Sequence, residues 1–163
     1  MPRVVIFGNS GSGKSTLASA KANMLSCSHL DLDSVAWQSG PSIPTRRSLA
    51  DSEELIAPFL AENSNWVIEG CYADLLELVI PHCTEIVFLN PGIAVCISNC
   101  RNRPWEPHKY ASAADQDANL DMLLTWVEQY TQRTDEFSLQ AHRRIFDSFA
   151  GAKREYTSNA RID

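Results

Sequence analysis

Long apolar runs are absent from this sequence of 163 residues. A transmembrane helix needs about 20 consecutive apolar residues, and no such stretch occurs. The apolar run Val4-Val5-Ile6-Phe7 directly follows Met1-Pro2-Arg3, and it is too short for the hydrophobic part of a secretory signal. We therefore expect a cytoplasmic protein with no membrane partner.

An excess of basic residues is also absent. The chain has 14 Lys and Arg against 20 Asp and Glu, which gives a formal net charge of −6. Proteins that bind nucleic acids normally present a basic surface, so this balance disfavours a nucleic-acid partner and a role in nucleic-acid processing. A small phosphorylated ligand remains compatible, because it needs only local positive charge.

Paired cysteine motifs are missing, although the chain contains five cysteines: Cys27, Cys71, Cys83, Cys96 and Cys100. Cys96 and Cys100 are four residues apart and would share one face of a helix. No nearby His or Cys completes a four-ligand metal site with them. Reduced, packed thiols are therefore the favoured interpretation, and a metal pair at Cys96 and Cys100 is the alternative.

Internal repeats and linker-like segments are absent as well, so we expect one domain over residues 1–163. Short apolar runs alternate with longer helical patterns, which is typical of a parallel sheet covered by helices. The predicted strands cover residues 4–7, 28–32, 66–68, 85–89 and, with a weaker pattern, 154–157. The predicted helices cover residues 15–25, 49–60, 93–101, 115–130 and 135–150. Thr134 is the predicted N-cap of the last helix, and Pro58 should kink or end the second. The predicted fold is a three-layer α/β/α fold with a five-stranded parallel sheet.

A glycine-rich loop joins the first strand to the first helix. Its pattern, GxxxxGK[ST], in this strand–loop–helix context is typical of a loop that binds nucleotide phosphates. Glycines allow backbone N–H groups to face the phosphates, Lys14 reaches the β- and γ-phosphates, and Ser15 binds Mg²⁺. The predicted phosphate-binding residues are Gly8, Asn9, Ser10, Gly11, Ser12, Gly13, Lys14, Ser15 and Thr16.

ATP is the predicted nucleotide. GTP-binding proteins of this architecture generally carry an Asn/Thr-Lys-x-Asp guanine motif, and this sequence contains none. GTP is therefore the less favoured alternative. The other alternative is a glycine- and serine-rich turn with an incidental lysine, which the position between a β-branched strand and a helix disfavours.

Acidic residues lie at the end of the second strand. Asp31 and Asp33 are two residues apart, so they would point to the same side of a strand, at the edge where ligands bind in such sheets. We expect Asp33 to bind Mg²⁺ through water or to accept a proton from an acceptor hydroxyl, with Asp31 in the same substrate site. The alternative is that either carboxylate only caps the next helix or solvates the strand end.

The third strand ends in a similar way, with Glu69-Gly70-Cys71-Tyr72. Glu69 is expected to complete the metal or substrate site, and Gly70 to let the backbone approach a ligand, with Tyr72 in the same substrate site. The alternative is a turn glycine beside an exposed acid. Glu85 begins the fourth strand at the opposite end of the sheet, and we interpret it as structural.

The segment 101–114 is polar, basic and interrupted by two prolines. We predict a mobile lid outside the core, which would shield the transferring phosphoryl group from water. Arg101 is assigned to nucleotide binding, and Arg103 to catalysis together with Arg133, which lies just past the next helix. Further candidates in the lid are Trp105, His108, Lys109 and Tyr110. A solvated basic loop is the alternative.

Four motifs resemble the adenylate kinase-like group of P-loop kinases, and most closely its small topology-modulation or shikimate-kinase-like members. They are GNSGSGKST at 8–16, LDLDSVAW at 30–37, WVIEGCY at 66–72 and IVFLNP at 86–91. The resemblance implies a P-loop fold, phosphoryl transfer, and binding of magnesium and the acceptor by Asp31 and Asp33. It does not imply a particular acceptor, because shikimate kinases have Gly-Gly-Gly where this chain has Glu69-Gly70-Cys71.

The predicted function is transfer of the γ-phosphoryl group of Mg-ATP to a small hydroxyl or phosphate acceptor. The alternative is a nucleotide-dependent binding module with slow hydrolysis, acting on a protein partner. Such a module would need an exposed apolar patch near the lid, for which Trp37, Trp105 and Tyr110 are the candidates. His142 is interpreted as a surface or hydrogen-bonded residue and not as a catalytic base.

Overall fold

Five parallel strands form the centre of the computed structural model, which describes residues 1–38 and 44–159. The strands are β1 Arg3–Gly8, β2 Ser28–Asp31, β3 Trp66–Gly70, β4 Glu85–Leu89 and β5 Ala152–Tyr156. They lie in the order β2-β3-β1-β4-β5, and every neighbouring pair is parallel. The predicted five-stranded parallel sheet is confirmed, including its weakly patterned last strand.

Helices connect the strands and flank the sheet. They are α1 Lys14–Leu25, α2 Asp33–Ala36, α3 Leu49–Glu62, α4 Ala73–Val79, α5 Ile93–Arg101, α6 Ala113–Glu128 and α7 Leu139–Ser148. A 3₁₀ turn follows α4 at Ile80–His82. The sequence patterns do not predict α2 and α4, because such short helices show too few turns for a helical period to be recognised. None of the described helices is long and apolar enough to cross a membrane.

Both faces of the sheet are covered, because successive residues of a strand point to opposite faces. Phe7 of β1 belongs to a buried cluster with Leu76 of α4 and Ile145 of α7. Its neighbour Ile6 belongs to a second buried cluster, with Leu17 of α1. The two clusters lie on opposite sides of the sheet, which is the predicted three-layer α/β/α arrangement.

Pro58 does not end helix α3, which continues to Glu62. Pro58 lies on an exposed stretch, where a carbonyl without its helical donor faces water. The predicted start of the last helix is wrong. Helix α7 begins at Leu139, and its N-cap is Ser138, which accepts the Ala141 N–H at 3.0 Å. The predicted start fails because Asp135 accepts the N–H of Phe137 and forms a turn.

The carboxyl ends of three neighbouring strands lie side by side. Asp31 of β2 is in register with Glu69 of β3, and Glu69 is in register with Ile6 of β1. The glycine-rich loop leaves β1 two residues later, at Gly8. The acids and the loop therefore meet at one edge of the sheet, where open α/β sheets bind their ligands.

Candidate active site

The glycine-rich loop makes a tight turn between β1 and α1. Gly11 and Gly13 have φ angles of 80° and 94°, in the left-handed region that favours glycine. The Ser12 N–H donates to the Asn9 carbonyl at 3.1 Å and closes the turn. The turn leads directly into the N-terminus of α1, where backbone N–H groups and the helix dipole favour an anion.

Hydrogen bonds to two helices hold the loop in place. The side-chain amide of Asn9 donates to the Val127 carbonyl of α6 at 3.2 Å, and that of Asn99 on α5 donates to the Gly11 carbonyl at 2.8 Å. Asn99 is a site residue that the sequence patterns miss, because it lies 88 positions from its partner. These hydrogen bonds therefore hold the loop against α5 and α6 and leave its other side open to a ligand.

Gly11→Ala is expected to destabilise the protein more than Gly92→Ala. A Cβ atom at Gly11 would lie 2.4 Å from the Cys96 carbonyl oxygen and 2.6 Å from the Cys100 sulfur. Gly92 has a φ of 101°, but a Cβ atom there meets nothing within 4 Å, so it controls for backbone strain alone. We expect Gly92→Ala to lower the unfolding free energy by about 1–2 kcal/mol, and Gly11→Ala to cost about 1–3 kcal/mol more. Equal losses in urea titrations would contradict the close packing of the loop on α5.

A cavity of about 700 Å³ opens in front of the loop. Lys14 and Ser15 lie on one wall, and Lys14 Nζ donates to the Asn9 carbonyl at 2.8 Å. Gly8, Asn9 and Ser12 are buried behind this wall. The predicted site residues that line the cavity are Ser10, Gly11, Gly13, Lys14, Ser15, Thr16, Asp31, Asp33, Glu69, Gly70, Arg103 and Lys109. The structure thus brings together the predicted loop, the strand-end acids and part of the lid.

Asp33 lies at the centre of a hydrogen-bond network. Its predicted place in a strand is wrong, because β2 ends at Asp31 and Asp33 begins α2. The two carboxylates nevertheless meet at Lys109, whose Nζ lies 2.9 Å from Asp33 Oδ2 and 3.9 Å from Asp31 Oδ2. Tyr72 donates its hydroxyl to Asp33 Oδ1. Asp31 Oδ1 accepts the Asp33 N–H at 2.9 Å, so Asp31 also caps the start of α2.

The surroundings of Asp33 favour its charged form. Partial burial favours the neutral form, but the Lys109 ammonium and the hydrogen bonds from Tyr72 and Lys109 outweigh it, so the pKa of Asp33 lies below its ordinary value. Burial raises the pKa of Tyr72, which keeps its hydroxyl protonated and able to donate. Asp33 is therefore a charged hydrogen-bond acceptor at neutral pH.

Glu69 is the most enclosed acid of the cavity, with 1% of its surface exposed. Ser15 Oγ donates to Glu69 Oε1 at 3.0 Å, whereas Glu69 Oε2 is buried without a described hydrogen-bond partner. Burial, followed by the negative charge of Asp31, raises the pKa of Glu69 to about 8, although Lys14 opposes the shift. Glu69 therefore holds a proton at neutral pH unless a cation replaces it.

Glu69→Gln should remove part of the pH dependence of stability. A carboxyl group whose pKa rises from 4.5 to about 8 on folding takes up a proton on folding between these values. The unfolding free energy of the wild type therefore decreases as the pH rises through this window, by at most about 1.4 kcal/mol per pH unit from this group. The variant should lack this decrease, as measured by urea unfolding at several pH values. Glu85→Gln, at the opposite end of the sheet, should keep it, and an unchanged slope in Glu69→Gln would contradict the assignment.

The oxygen atoms beside the loop suit a magnesium ion. Mg²⁺ keeps several waters and binds one or two carboxylates together with substrate phosphates. Ser15 Oγ and the unpartnered Glu69 Oε2 are oxygens of this kind. In residues 1–38 and 44–159, no three His, Cys, Asp or Glu side chains are arranged to enclose a metal alone. The described hydrogen bond from Ser15 goes to Glu69 and not to Asp33. The role of Asp33 as a metal ligand therefore stays a prediction.

The lid segment lies over the cavity between α5 and α6. Arg103 and Lys109 line the cavity together with Glu106, which the sequence patterns miss. The Glu106 N–H donates to Gln116 Oε1 at 2.8 Å, and Gln116 Nε2 donates to the Pro104 carbonyl at 3.1 Å. The segment is therefore fastened to α6, and its mobility stays a prediction.

Two predicted arginines are not among the described residues that line the cavity. Arg101 is exposed at the end of α5. The Arg133 guanidinium lies 3.5 Å from the centroid of the Trp126 ring and pairs with Asp135. Arg103 is the predicted arginine that reaches the cavity, and the roles assigned to Arg101 and Arg133 stay predictions.

A layer of supporting contacts behind Tyr72 is also missed by the sequence patterns. Arg46 pairs with Asp74 and Glu136, each at 3.0 Å, and its guanidinium lies 4.8 Å from the Tyr72 ring centroid. Trp37 Nε1 donates to the Tyr72 hydroxyl at 2.9 Å. These contacts hold the hydroxyl of Tyr72 against Asp33, and local periodicity has no means of revealing them.

His142 is fully buried below the site and hydrogen-bonded on both ring nitrogens. Nδ1 lies 2.7 Å from the Tyr130 hydroxyl, and Nε2 lies 2.7 Å from the Cys71 carbonyl oxygen. Burial lowers the pKa of His142 to about 4, so the ring is neutral at physiological pH. The interpretation of His142 as a hydrogen-bonded residue is confirmed.

The five cysteines are free thiols in the structure. Cys96 and Cys100 are buried in a cluster with Leu124 and Val127 of α6, where they act as small apolar side chains. Burial raises the pKa of Cys96 to about 11, which keeps it protonated. The described part of the chain offers no group of metal ligands around this pair, so packed thiols remain the favoured interpretation.

The strand order and the position of the loop define a class of protein. A parallel sheet in the order β2-β3-β1-β4-β5, with a glycine-rich loop between its central strand and α1, is a three-layer α/β/α P-loop fold. No protein-family model matches the chain, and no curated protein matches its sequence.

Solved structures similar to the chain include two shikimate kinases and a gluconokinase. A shikimate kinase from Bacteroides thetaiotaomicron has 21% identity and a TM-score of 0.44, over 90% of this chain and 97% of that one. A shikimate kinase from Acinetobacter baumannii in complex with shikimate has 17% identity and a TM-score of 0.44, over 89% and 91%. A gluconokinase from Sinorhizobium meliloti 1021 has 18% identity and a TM-score of 0.46, over 91% and 98%. The sequence motifs resemble the same group, but similarity at this level identifies neither an activity nor a substrate.

Proposed function

We propose that the protein is a P-loop kinase that transfers the γ-phosphoryl group of ATP to a small hydroxyl or phosphate acceptor. The observation that supports this most strongly is that one cavity is lined both by the phosphate loop and by the strand-end acids. Phosphoryl transfer depends on holding the nucleotide phosphates and the acceptor side by side in a site that excludes water. A cavity of about 700 Å³ is within the usual range for such ligands.

The donor half of the site is the loop and the start of α1. Backbone N–H groups from Gly11 to Ser15 bind the phosphates, and the Lys14 ammonium turns from the Asn9 carbonyl towards the β- and γ-oxygens. Ser15 and Glu69 would hold a magnesium ion, which would neutralise part of the triphosphate charge. These groups favour the charge that moves onto the β-phosphate as the bond to the γ-phosphorus breaks.

The acceptor half is built around Asp33. An acceptor hydroxyl donates to Asp33 Oδ2 beside Lys109, while Tyr72 keeps Oδ1 in position. The acceptor oxygen attacks the γ-phosphorus, its proton passes to Asp33, and ADP leaves. Lys109 and Arg103, which line the same cavity, favour the charge of the transferring phosphoryl group without leaving their carboxylate partners.

The alternative, a nucleotide-dependent binding module, has weaker support. It requires an exposed apolar patch near the lid, and Trp37 and Trp105 are 37% and 46% exposed. Their indole N–H groups, however, donate within the fold, to the Tyr72 hydroxyl and the Tyr110 carbonyl. These hydrogen bonds give both tryptophans a role in supporting the fold around the site. Their exposure therefore does not by itself favour a protein partner.

An ADP-release assay tests the proposed function. The protein with Mg-ATP is supplied in turn with sugars, polyols, amino alcohols, hydroxy acids and nucleoside monophosphates. We expect one class of acceptor to raise ADP formation at least roughly tenfold above the rate without acceptor, since only an acceptor completes the reacting geometry. ADP formation that stays at the basal rate with every class would support the slow ATPase module instead.

A further inference from the structure

We infer that the acceptor is a hydroxyl compound that carries no negative charge, such as a sugar, a polyol or an amino alcohol. This inference rests on the proposed function and narrows it, because it excludes nucleoside monophosphates and hydroxy acids. It depends on two features of the acceptor wall, the part of the cavity lined by Asp31, Asp33, Arg103, Glu106 and Lys109. One feature is the balance of charges on this wall, and the other is the kind of hydrogen-bonding atom that the wall leaves without a partner.

The cations on this wall are already paired with carboxylates. Lys109 Nζ lies 2.9 Å from Asp33, 3.6 Å from Glu106 and 3.9 Å from Asp31. Arg103 Nη1 lies 3.2 Å from Glu106 Oε1. Three carboxylates thus pair with two cations. An anionic acceptor would have to break an ion pair and enter a region of net negative charge.

Neighbouring arginines do not change this balance. Arg46 is paired with both Asp74 and Glu136, and Arg133 is paired with Asp135. Neither arginine is among the described residues that line the cavity. Lys14 belongs to the phosphate loop, where its ammonium is needed for the nucleotide phosphates. In the described part of the chain, the acceptor wall therefore offers no unpaired cation to a carboxylate or phosphate group.

The unpartnered atom of this wall is a hydrogen-bond acceptor. Glu106 Oε1 is buried and has no described hydrogen-bond donor. Glu106 Oε1 lies close to Arg103, but without the geometry of a hydrogen bond. Buried carboxylate oxygens need donors, and hydroxyl and ammonium groups are donors, whereas ionised carboxylates and phosphates are only acceptors. A compound with several hydroxyl groups, with or without an amine, satisfies this wall.

Equilibrium dialysis tests the inference without requiring turnover. The protein, saturated with Mg²⁺ and a non-hydrolysable ATP analogue, is dialysed against an equimolar mixture, and the retained compounds are identified by mass spectrometry. The mixture pairs each sugar or polyol with its amino, carboxylate and phosphate derivatives. We expect retention of uncharged or amine-bearing compounds, at least roughly tenfold above anions with the same skeleton. Retention of an anionic compound, or of no compound at all, would overturn the inference.

Glu106→Gln provides a variant with a predicted change in preference. It removes one negative charge from the wall and releases Arg103, so retention of anionic compounds relative to uncharged ones should rise by roughly tenfold. Glu53→Gln, at an exposed position on α3, is the matched control and should leave the ratio unchanged. Melting temperatures show whether both variants are folded, and an unchanged ratio in folded Glu106→Gln would contradict the role of this carboxylate.

The inference and the proposed function fail in different ways. An anionic compound that is retained and phosphorylated by Mg-ATP would overturn the inference and leave the kinase proposal intact. An uncharged compound that is retained but never phosphorylated would support the inference about binding and contradict the kinase proposal. Adding each retained compound to the ADP-release assay separates these outcomes.

Discussion

Lys14→Ala should lose nearly all of the stabilisation that Mg-ATP gives to the wild type. At a nucleotide concentration of about 100 Kd, binding raises the unfolding free energy of the wild type by about 2.7 kcal/mol. Loss of charge-assisted hydrogen bonds to the phosphates costs about 3 kcal/mol, which weakens binding by roughly 150-fold. At the same nucleotide concentration, the variant should then gain only about 0.3 kcal/mol. Urea unfolding with and without Mg-ATP measures both values.

The same experiment needs a control for the loss of a lysine from α1. Lys21 lies on the same helix, outside the residues that line the cavity, so Lys21→Ala should keep the full stabilisation by Mg-ATP. Without nucleotide, Lys14→Ala should remain folded, because it loses only the hydrogen bond to the Asn9 carbonyl. Equal stabilisation of Lys14→Ala and the wild type by Mg-ATP would remove Lys14 from the phosphate site.

Asp33→Asn should separate nucleotide binding from phosphoryl transfer. Asparagine keeps the shape of the side chain and an oxygen to accept the Tyr72 hydroxyl, but it is neutral and does not take the proton of an acceptor. We expect turnover with the acceptor found in the screen to fall by roughly 10²–10⁴-fold, which is the usual contribution of a positioned base. The Kd for Mg-ATP, measured by calorimetry, should change by less than roughly threefold if Asp33 acts on the acceptor alone.

A control variant and a Mg²⁺ titration test the interpretation of Asp33→Asn. Asp121→Asn, at an exposed position on α6, is the matched control and should keep full turnover. A change in the Mg²⁺ concentration needed for half-maximal turnover in Asp33→Asn would assign Asp33 to the metal instead. Full turnover in Asp33→Asn would contradict its role and leave Asp31 or Glu69 as the carboxylate that accepts the proton.

The sequence predicts the parts of this protein that depend on local pattern. Short apolar runs identify the central strands, because strands covered on both faces are apolar throughout, as in β1 and β4. The phosphate loop is recognisable because its glycines, Lys14 and Ser15 are contiguous and lie between a strand and a helix. The acids at Asp31 and Glu69 follow from the rule that ligands bind at the carboxyl ends of parallel strands.

The remaining features of the candidate site depend on contacts between segments that are distant in the sequence. Lys109 meets Asp33 across 76 positions, and Asn99 meets Gly11 across 88, so no local period links these pairs. Strand periodicity predicts Asp31 and Asp33 in one site, but in the structure they are linked by Lys109 and by the start of α2. The sequence does not predict Glu106 as a site residue for a similar reason, because a single acid in a basic segment forms no recognisable motif.

Phosphorus NMR on the reaction mixture is the most direct test of the central claim, phosphoryl transfer from ATP to a small acceptor. The protein is incubated with Mg-ATP and the acceptor from the screen, and the γ-phosphate, inorganic phosphate and phosphoester resonances are followed together. The proposed function predicts a new phosphoester or phosphoanhydride resonance that grows in step with ADP, and its loss in Lys14→Ala. ADP matched by inorganic phosphate alone, with every acceptor tested, would contradict it.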